Sequence, residues 1–128
     1  VLGGEALPAP LARTLRELTG GTVINGYGPT EATVYSVMHA TCDADAATVP
    51  IGRPVAGEVA RVLDARGRRV PTGAPGELWI GGAGVASGYL GRDELTAERF
   101  VVAADGERCY RTGDVVRWRD DDLLEYVG

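Results

Sequence analysis

The sequence contains no lysine, so arginine alone supplies its thirteen basic side chains, against eighteen acidic ones and a net charge of −5. A nucleic-acid surface is usually basic, so this charge argues against a nucleic-acid partner. Histidine occurs once, as His39, and cysteine twice, as Cys42 and Cys109. These residues match neither a metal-ligand spacing nor a disulfide framework. We therefore expect His39 to be structural, and both cysteines to be buried or half-buried.

Long apolar runs are also absent. None approaches the roughly 20 residues that a membrane helix needs, and no basic leader followed by an apolar segment opens the sequence. We therefore expect a cytosolic (cytoplasmic) protein with no membrane partner. A chain of 128 residues is long enough for one hydrophobic core or two small ones.

What the sequence does contain is a dense polar loop at residues 25–31, Asn-Gly-Tyr-Gly-Pro-Thr-Glu. Its glycines allow close backbone approach and Pro29 fixes a bend, so the loop should be rigid. An amide and an aromatic ring can bind a base, a hydroxyl can donate to a phosphate oxygen, and a carboxylate can bind Mg²⁺. The pattern favours either a nucleotide and metal site or a plain Gly-Pro loop with a surface tyrosine and glutamate.

The residues around this loop predict a parallel α/β unit in residues 1–42. Leucines at helical spacing, Leu11, Leu15 and Leu18, predict an amphipathic helix. A strand end and glycine turn at residues 1–5 precede this helix, and strands at residues 22–24 and 32–41 follow it. In such sheets ligands bind at the carboxyl ends of the strands, which is where the loop at residues 25–31 lies.

Residues 43–128 predict a second, all-β unit, in which glycine and proline separate short strands. Residues 58–64 alternate with period two and should pair antiparallel with residues 77–80. Further elements are a short helix at residues 93–99 with Asp93 as its cap, a strand and turn at residues 109–114, and a hairpin joining residues 115–119 to 123–127. The glycine-rich run at residues 81–90 has the spacing of a dinucleotide-binding loop, but no helix pattern opens directly behind it and no acidic residue follows at the point that a βαβ unit requires.

Three segments stand in a fixed order, at residues 25–31, 76–90 and 110–114. Together they resemble successive core motifs of nonribosomal peptide synthetase adenylation domains, within the adenylate-forming superfamily. The resemblance covers essentially the whole chain. It implies the end of a parallel α/β sheet subdomain in residues 1–42, followed by a small antiparallel distorted β-barrel subdomain in residues 43–128. We interpret residues 76–90 as structural, with Leu78, Trp79 and Ile80 filling a core.

The resemblance implies that a carboxylate substrate attacks the α-phosphate of ATP, and that the acyl group then passes to a phosphopantetheine thiol on a carrier domain. Matched by position, Thr30 holds the α-phosphate and Glu31 binds Mg²⁺, which makes these two the predicted catalytic residues. The predicted contacts to AMP are Gly3, Gly4 and Glu5 against the base, Asn25 at the adenine amino edge, Tyr27 stacked on adenine, Asp114 on the ribose, and Tyr126. Taken alone, Asp114 is more simply a turn residue and Tyr126 a packing residue.

The resemblance also implies an amino-acid pocket, formed by Val1, Gly3, Gly26, Val34 and Tyr35. Two glycines leave volume and the valines are apolar, so we expect a medium or large, mostly apolar amino acid as substrate. The other expected partners are a peptidyl carrier domain and a small MbtH-like helper protein.

Several parts that the family needs are not in this chain, namely a lysine-bearing phosphate loop, a hinge arginine and a C-terminal domain with a catalytic lysine. We therefore expect the isolated chain to lack adenylation activity. Two alternatives remain open: an acyl- or aryl-acid:CoA ligase of the same superfamily, and a noncatalytic docking module. Asn25 and the amino-acid sequence of residues 77–90 favour the peptide-synthetase branch over the CoA ligase.

Overall fold

The structure is a computed structural model and describes residues 2–3, 6–29, 31–32, 35–43, 45 and 48–128. Some predicted site residues lie outside the described residues: Val1, Gly4, Glu5, Thr30 and Val34. The described chain forms two sheets, which confirms the predicted combination of an α/β part and an antiparallel β part.

The first sheet has four strands in the order β1 (Leu2–Gly3), β2 (Ile24–Tyr27), β3 (Val37–Ala40) and β4 (Arg53–Pro54). β1 and β2 are parallel and are connected by helix α1 (Ala9–Thr19), as the strand, helix and strand pattern predicts. The other two pairings are antiparallel. Strand β4 belongs to the first sheet, although it lies within residues 43–128, which the sequence assigns to the second subdomain. A subdomain boundary after residue 42 therefore stays a prediction.

Helix α1 ends at Gly20, which adopts a left-handed conformation and whose N–H donates to the carbonyl of Arg16. The face that it buries is different from the predicted one. Ala12 is buried against Leu7 and Val49, whereas Leu18 is 77% exposed. The leucine spacing therefore predicts the helix correctly but not its contacts within this chain.

The second sheet is wholly antiparallel. Its strands in chain order are β5 (Glu58–Leu63), β6 (Gly76–Gly82), β7 (Phe100–Val102), β8 (Arg108–Trp118) and β9 (Leu124–Tyr126). They lie in the spatial order β5-β6-β8-β7, with β9 also paired to β8. Helix α2 (Asp93–Arg99) precedes β7, and its N-cap position is Arg92 rather than the predicted Asp93.

Strand β8 corrects the prediction of a strand and a turn at residues 109–114, because it continues through them. Glu77 pairs with Val115 and Trp79 with Arg111, so one residue of β6 lies opposite three residues of β8, 112–114. This is a β-bulge, in which Gly113 has a φ of 75°. Bulges bend a strand and redirect its side chains, and here the bulge carries Asp114.

One hydrophobic cluster joins the two sheets. Val37 and Ile51 pack against Leu78, Ile80 and other side chains of the second sheet, including Val116 and Leu124. Burying each large apolar side chain contributes roughly 1.5–3 kcal/mol. Trp79 is only partly buried, since alternate residues of a strand face opposite sides, so the prediction that it fills the core with its neighbours is wrong. No helix in the described ranges has the length and apolar character needed to cross a membrane.

Candidate functional site

Residues from both sheets line a cavity of about 500 Å³. Its walls come from the end of β2 and the loop after it, from residues 48–51, and from the bulge of β8 and from β9. The lining residues are Ala6, Asn25, Gly26, Tyr27, Gly28, Pro29, Thr48, Val49, Ile51, Asp114 and Tyr126. The structure therefore brings together four side chains that the sequence predicts for a nucleotide site, Asn25, Tyr27, Asp114 and Tyr126.

A hydrogen bond from Tyr27 to Asp114 connects the two sheets at this cavity. The Tyr27 hydroxyl donates to Oδ2 of Asp114 over 2.5 Å. Burial, together with the neighbouring Asp114 carboxylate, raises the pKa of Tyr27 well above its usual range, so the hydroxyl stays protonated and remains a donor. Since Asp114 receives this bond on one oxygen, its other oxygen is available to accept bonds from a ligand such as a ribose.

Asn25 is 3% exposed and held by its amide nitrogen. This nitrogen donates to the carbonyl of Pro50 over 3.0 Å and, more weakly, to that of Val49 over 3.4 Å. The amide oxygen accepts no hydrogen bond from any described residue, so it is the atom that Asn25 can offer to a ligand. An amide oxygen is an acceptor, which suits the amino group of an adenine edge.

Glu31 does not line the cavity with the other predicted residues. Its Oε2 accepts hydrogen bonds from the hydroxyls of Tyr89 and Tyr110, each over 2.8 Å. Burial alone would raise the pKa of Glu31, but these hydrogen bonds outweigh it and hold that pKa below its usual range. A single ionised carboxylate with one oxygen left free of described side chains fits Mg²⁺, which commonly takes one or two carboxylates alongside substrate phosphates.

The predicted amino-acid pocket needs a correction. A Cβ placed on Gly26 would lie 2.5 Å from Cδ1 of Tyr35, and one on Gly3 would lie 2.7 Å from Cε1 of the same ring. The volume that these two glycines leave is therefore taken by Tyr35. The glycines do not by themselves indicate a medium or large substrate.

Two residues next to the predicted site could not be assigned to it from the sequence alone. Tyr89 and Tyr110 belong to motifs that the sequence presents as a structural segment and a strand, yet both hydroxyls reach Glu31. Their only signal in the sequence is a tyrosine near the end of one motif and at the start of the next. Pairing these tyrosines with Glu31 requires the fold, because they are 58 and 79 residues away from it.

His39 and Cys42 lie next to Asp45, and one possible metal-ligand atom of each of these three residues lies within 4.8 Å of the other two. His39 Nε2 lies 2.9 Å from Oδ1 of Asp45, and the same carboxylate accepts from the backbone N–H of Cys42. Cys42 is exposed, so the prediction of a buried or half-buried side chain is wrong for it. Cys109 is buried as predicted, with its sulfur 3.3 Å from the Arg61 guanidinium.

Comparisons with known proteins identify relatives of this chain. A family model described as AMP-binding enzyme matches residues 1–90. Phosphinothricin tripeptide synthetase PhsB from Streptomyces viridochromogenes is 50% identical over 129 residues, which is 98% of this chain and 11% of that protein. Tyrocidine synthase 3 from Brevibacillus parabrevis is 44% identical over 131 residues, which is 100% of this chain and 2% of that protein. The chain thus spans a small part of these curated relatives.

Two solved structures of nonribosomal peptide synthetases share the fold. The crystal structure of FmoA3 in its α-methyl-L-serine-AMP bound form has a TM-score of 0.92 and 34% identity, over 99% of this chain and 15% of that one. The structure of holo-PA1221, which contains adenylation and PCP domains, has a TM-score of 0.91 and 34% identity, over 98% of this chain and 23% of that one.

Proposed function

Since the chain belongs to the AMP-binding enzyme family, and within it to the nonribosomal peptide synthetase adenylation domains, we propose that it is the part of such a domain that holds the AMP portion of an aminoacyl-adenylate. The observation that carries the proposal is the cavity on which Asn25, Tyr27, Asp114 and Tyr126 meet. The protein that contains this chain activates an amino acid with ATP and transfers it to a carrier domain.

Each cavity residue supplies a contact suited to AMP. The amide oxygen of Asn25 accepts from the adenine amino group, and the Tyr27 ring stacks on the base. The free oxygen of Asp114 accepts from the ribose hydroxyls. Tyr126 lines the same cavity and is 44% exposed.

In the first reaction a carboxylate oxygen of the amino acid forms a bond to the α-phosphorus of ATP. The bond from that phosphorus to the bridging oxygen of the β-phosphate breaks, and pyrophosphate leaves with the electron pair. Positioning and charge neutralisation govern phosphoryl chemistry of this kind. Thr30 contacts the α-phosphate in this proposal, and Glu31 holds Mg²⁺, which neutralises the phosphate charge when bound.

In the second reaction the phosphopantetheine thiolate of a peptidyl carrier domain attacks the acyl carbonyl. A thioester forms, and the bond from the carbonyl carbon to the phosphate oxygen of AMP breaks. A solved relative that contains adenylation and PCP domains supports this partner. An MbtH-like helper protein and a cytoplasmic location remain part of the proposal.

The substrate is an apolar amino acid whose side chain lies next to Tyr35. The valines predicted for the pocket, Val1 and Val34, are apolar, and the Tyr35 ring narrows the space beside Gly3 and Gly26. We therefore keep the apolar character of the predicted substrate, and its size depends on where the Tyr35 ring lies in the full-length protein.

The test is amino-acid-dependent ATP–pyrophosphate exchange by the full-length protein that carries this sequence. We expect exchange with one or a few apolar amino acids, and its loss in Asp114→Asn. Exchange only with acyl or aryl acids that are then passed to CoA would support the CoA ligase instead. No exchange with either class, together with unchanged carrier-domain binding in Asp114→Asn, would support a docking module. Exchange by the isolated 128-residue chain would contradict its predicted inactivity.

A further inference from the structure

The segment at residues 76–90 ends in a contact with the predicted metal-binding residue. The Tyr89 hydroxyl donates to Oε2 of Glu31 over 2.8 Å, and the Tyr110 hydroxyl donates to the same oxygen over the same distance. The two hydroxyl oxygens lie 3.4 Å apart. Oε2 of the carboxylate thus accepts two hydrogen bonds, whereas Oε1 accepts none from a described side chain.

Both tyrosine rings are fixed by their surroundings. Tyr110 is 5% exposed in β8, and the ring of Phe100 packs between the two, 5.4 Å from Tyr89 and 5.1 Å from Tyr110. The backbone N–H of Tyr89 donates to the Thr96 hydroxyl of α2 over 2.9 Å. The positions of the two hydroxyls are therefore set by the second sheet and by α2.

Glycine at position 88 is required for this arrangement. Gly88 has a φ of 142°, and a Cβ on it would lie 2.5 Å from Cγ2 of Thr96. A larger residue would push the segment away from α2 and with it the Tyr89 hydroxyl. The glycine-rich segment at residues 81–90 therefore also places the Tyr89 hydroxyl within hydrogen-bond distance of Glu31.

We propose that Tyr89 and Tyr110 are positioning residues that hold the Glu31 carboxylate by Oε2 and leave Oε1 to bind the magnesium ion that would accompany ATP. The inference rests on the proposed function, in which Glu31 binds that ion. Residues that orient a metal ligand typically change metal affinity by about 10–100-fold when they are mutated. Two donors on one oxygen restrict rotation of the carboxylate more than a single donor does.

The test uses the full-length protein and the variants Tyr89→Phe, Tyr110→Phe and the double variant, which lose only hydroxyls. Phe100→Leu is the matched control, because it disturbs the ring packing and keeps both hydroxyls. Calorimetry gives the affinity for AMP without metal, and a Mg²⁺ titration gives the concentration that supports half-maximal ATP binding. We expect the double variant to need roughly 10–100-fold more Mg²⁺, with smaller shifts in the single variants and an unchanged AMP affinity in all three.

Two results would overturn the inference. One is an unchanged Mg²⁺ requirement in the double variant while Glu31→Gln raises it. The other is a parallel loss of AMP affinity and Mg²⁺ response, shared with Phe100→Leu, which indicates packing alone. Failure of the proposed function is a separate result: the wild-type protein then binds Mg²⁺ and ATP but exchanges pyrophosphate with no amino acid.

Discussion

The hydroxyl of Tyr27 lies 2.5 Å from Oδ2 of Asp114, although 87 positions separate the two residues in the sequence. Tyr27 ends β2 of the first sheet and Asp114 lies on the bulge of β8 in the second. The bond therefore connects the parts of the cavity that we propose bind the base and the ribose. It also orients the carboxylate, so that one oxygen remains for a ligand.

The first prediction distinguishes the contributions of Asp114 and Tyr27 to AMP affinity. Asp114→Asn removes the charge that we propose accepts the ribose bonds, and because hydrogen bonds to charged groups contribute about 1.5–3 kcal/mol, AMP affinity should fall about 10–100-fold. Tyr27→Phe keeps the ring and loses only the bond to Asp114, so its loss should be several-fold smaller. Calorimetric titration with AMP measures both.

Asp105→Asn is the control for that comparison, because Asp105 bonds Arg61 and does not line the cavity. It removes the same charge from another part of the second sheet. A fall in AMP affinity as large as that of Asp114→Asn would mean that the effect is a general one of charge, and the assignment of Asp114 would be wrong.

The second prediction concerns acid stability. Burial alone would raise the pKa of Glu31 from 4.5, but hydrogen bonds from Tyr89, Tyr110 and its own backbone N–H, together with the charge of Arg99, lower it. A carboxylate with a lowered pKa contributes stability above its unfolded pKa, and this contribution is lost as the pH falls through the folded pKa. The free energy of unfolding of Glu31→Gln should therefore be lower than that of the wild type above about pH 5. This difference should shrink as the pH falls below 4.5, the pKa of the carboxyl in the unfolded chain.

Urea unfolding over this pH range measures the difference. Glu94→Gln is the control, since Glu94 lies in the first turn of α2 and carries none of the hydrogen bonds of Glu31. An equal and pH-dependent loss in Glu94→Gln, or a constant difference in Glu31→Gln, contradicts the prediction.

Local patterns in the sequence predict the elements because their causes are local. The period-two alternation of side chains in residues 58–64 predicts β5, and the glycine at position 20 ends α1. The bulge at residues 112–114 has no such local cause, since it is defined by the register of β8 against β6. The local pattern therefore predicts a strand and a turn where the strand in fact continues.

The same distinction applies to the site. The four side chains on the cavity are predicted through motifs in a fixed order, and the fold brings them together. Contacts between motifs are not predicted from the sequence. The hydrogen bonds from Tyr89 and Tyr110 to Glu31 are two examples. Tyr35 is a third example, because its ring fills the space that Gly3 and Gly26 were expected to leave open.

The third prediction concerns the hairpin turn before β9. Asp122 is the one described residue other than glycine with a positive φ, at 63°. A left-handed conformation costs a residue with a Cβ roughly 1–2 kcal/mol, somewhat less for aspartate. Asp122→Gly should therefore leave the free energy of unfolding unchanged or raise it by up to about 1 kcal/mol.

Asp122→Val is the matched variant, because a β-branched side chain fits this conformation poorly. It should lower the free energy of unfolding by about 1–2 kcal/mol. Thermal and urea unfolding of both variants measure which of the two has the higher free energy of unfolding. Equal stability of the glycine and valine variants would mean that the turn adopts another conformation in solution.

The fourth prediction concerns the contact of Tyr35 with two glycines. Gly26→Ala places a Cβ 2.5 Å from the Tyr35 ring, so the ring must move, and overpacking of this kind costs about 1–3 kcal/mol. Gly3→Ala meets the same ring but also the carbonyl oxygen of Gly26, at 2.7 Å. A second substitution, Tyr35→Ala, should therefore restore the stability lost in Gly26→Ala and only part of that lost in Gly3→Ala.

A double-mutant cycle on the free energy of unfolding measures this difference, and Tyr35→Ala alone supplies the reference. The coupling energy should be larger for Gly26 with Tyr35 than for Gly3 with Tyr35, because only the first clash lies wholly with a side chain. If Tyr35→Ala rescues neither glycine variant, the ring does not occupy this space in solution. The two glycines would then leave the open volume that the sequence alone predicts, and larger amino acids should be better substrates in pyrophosphate exchange.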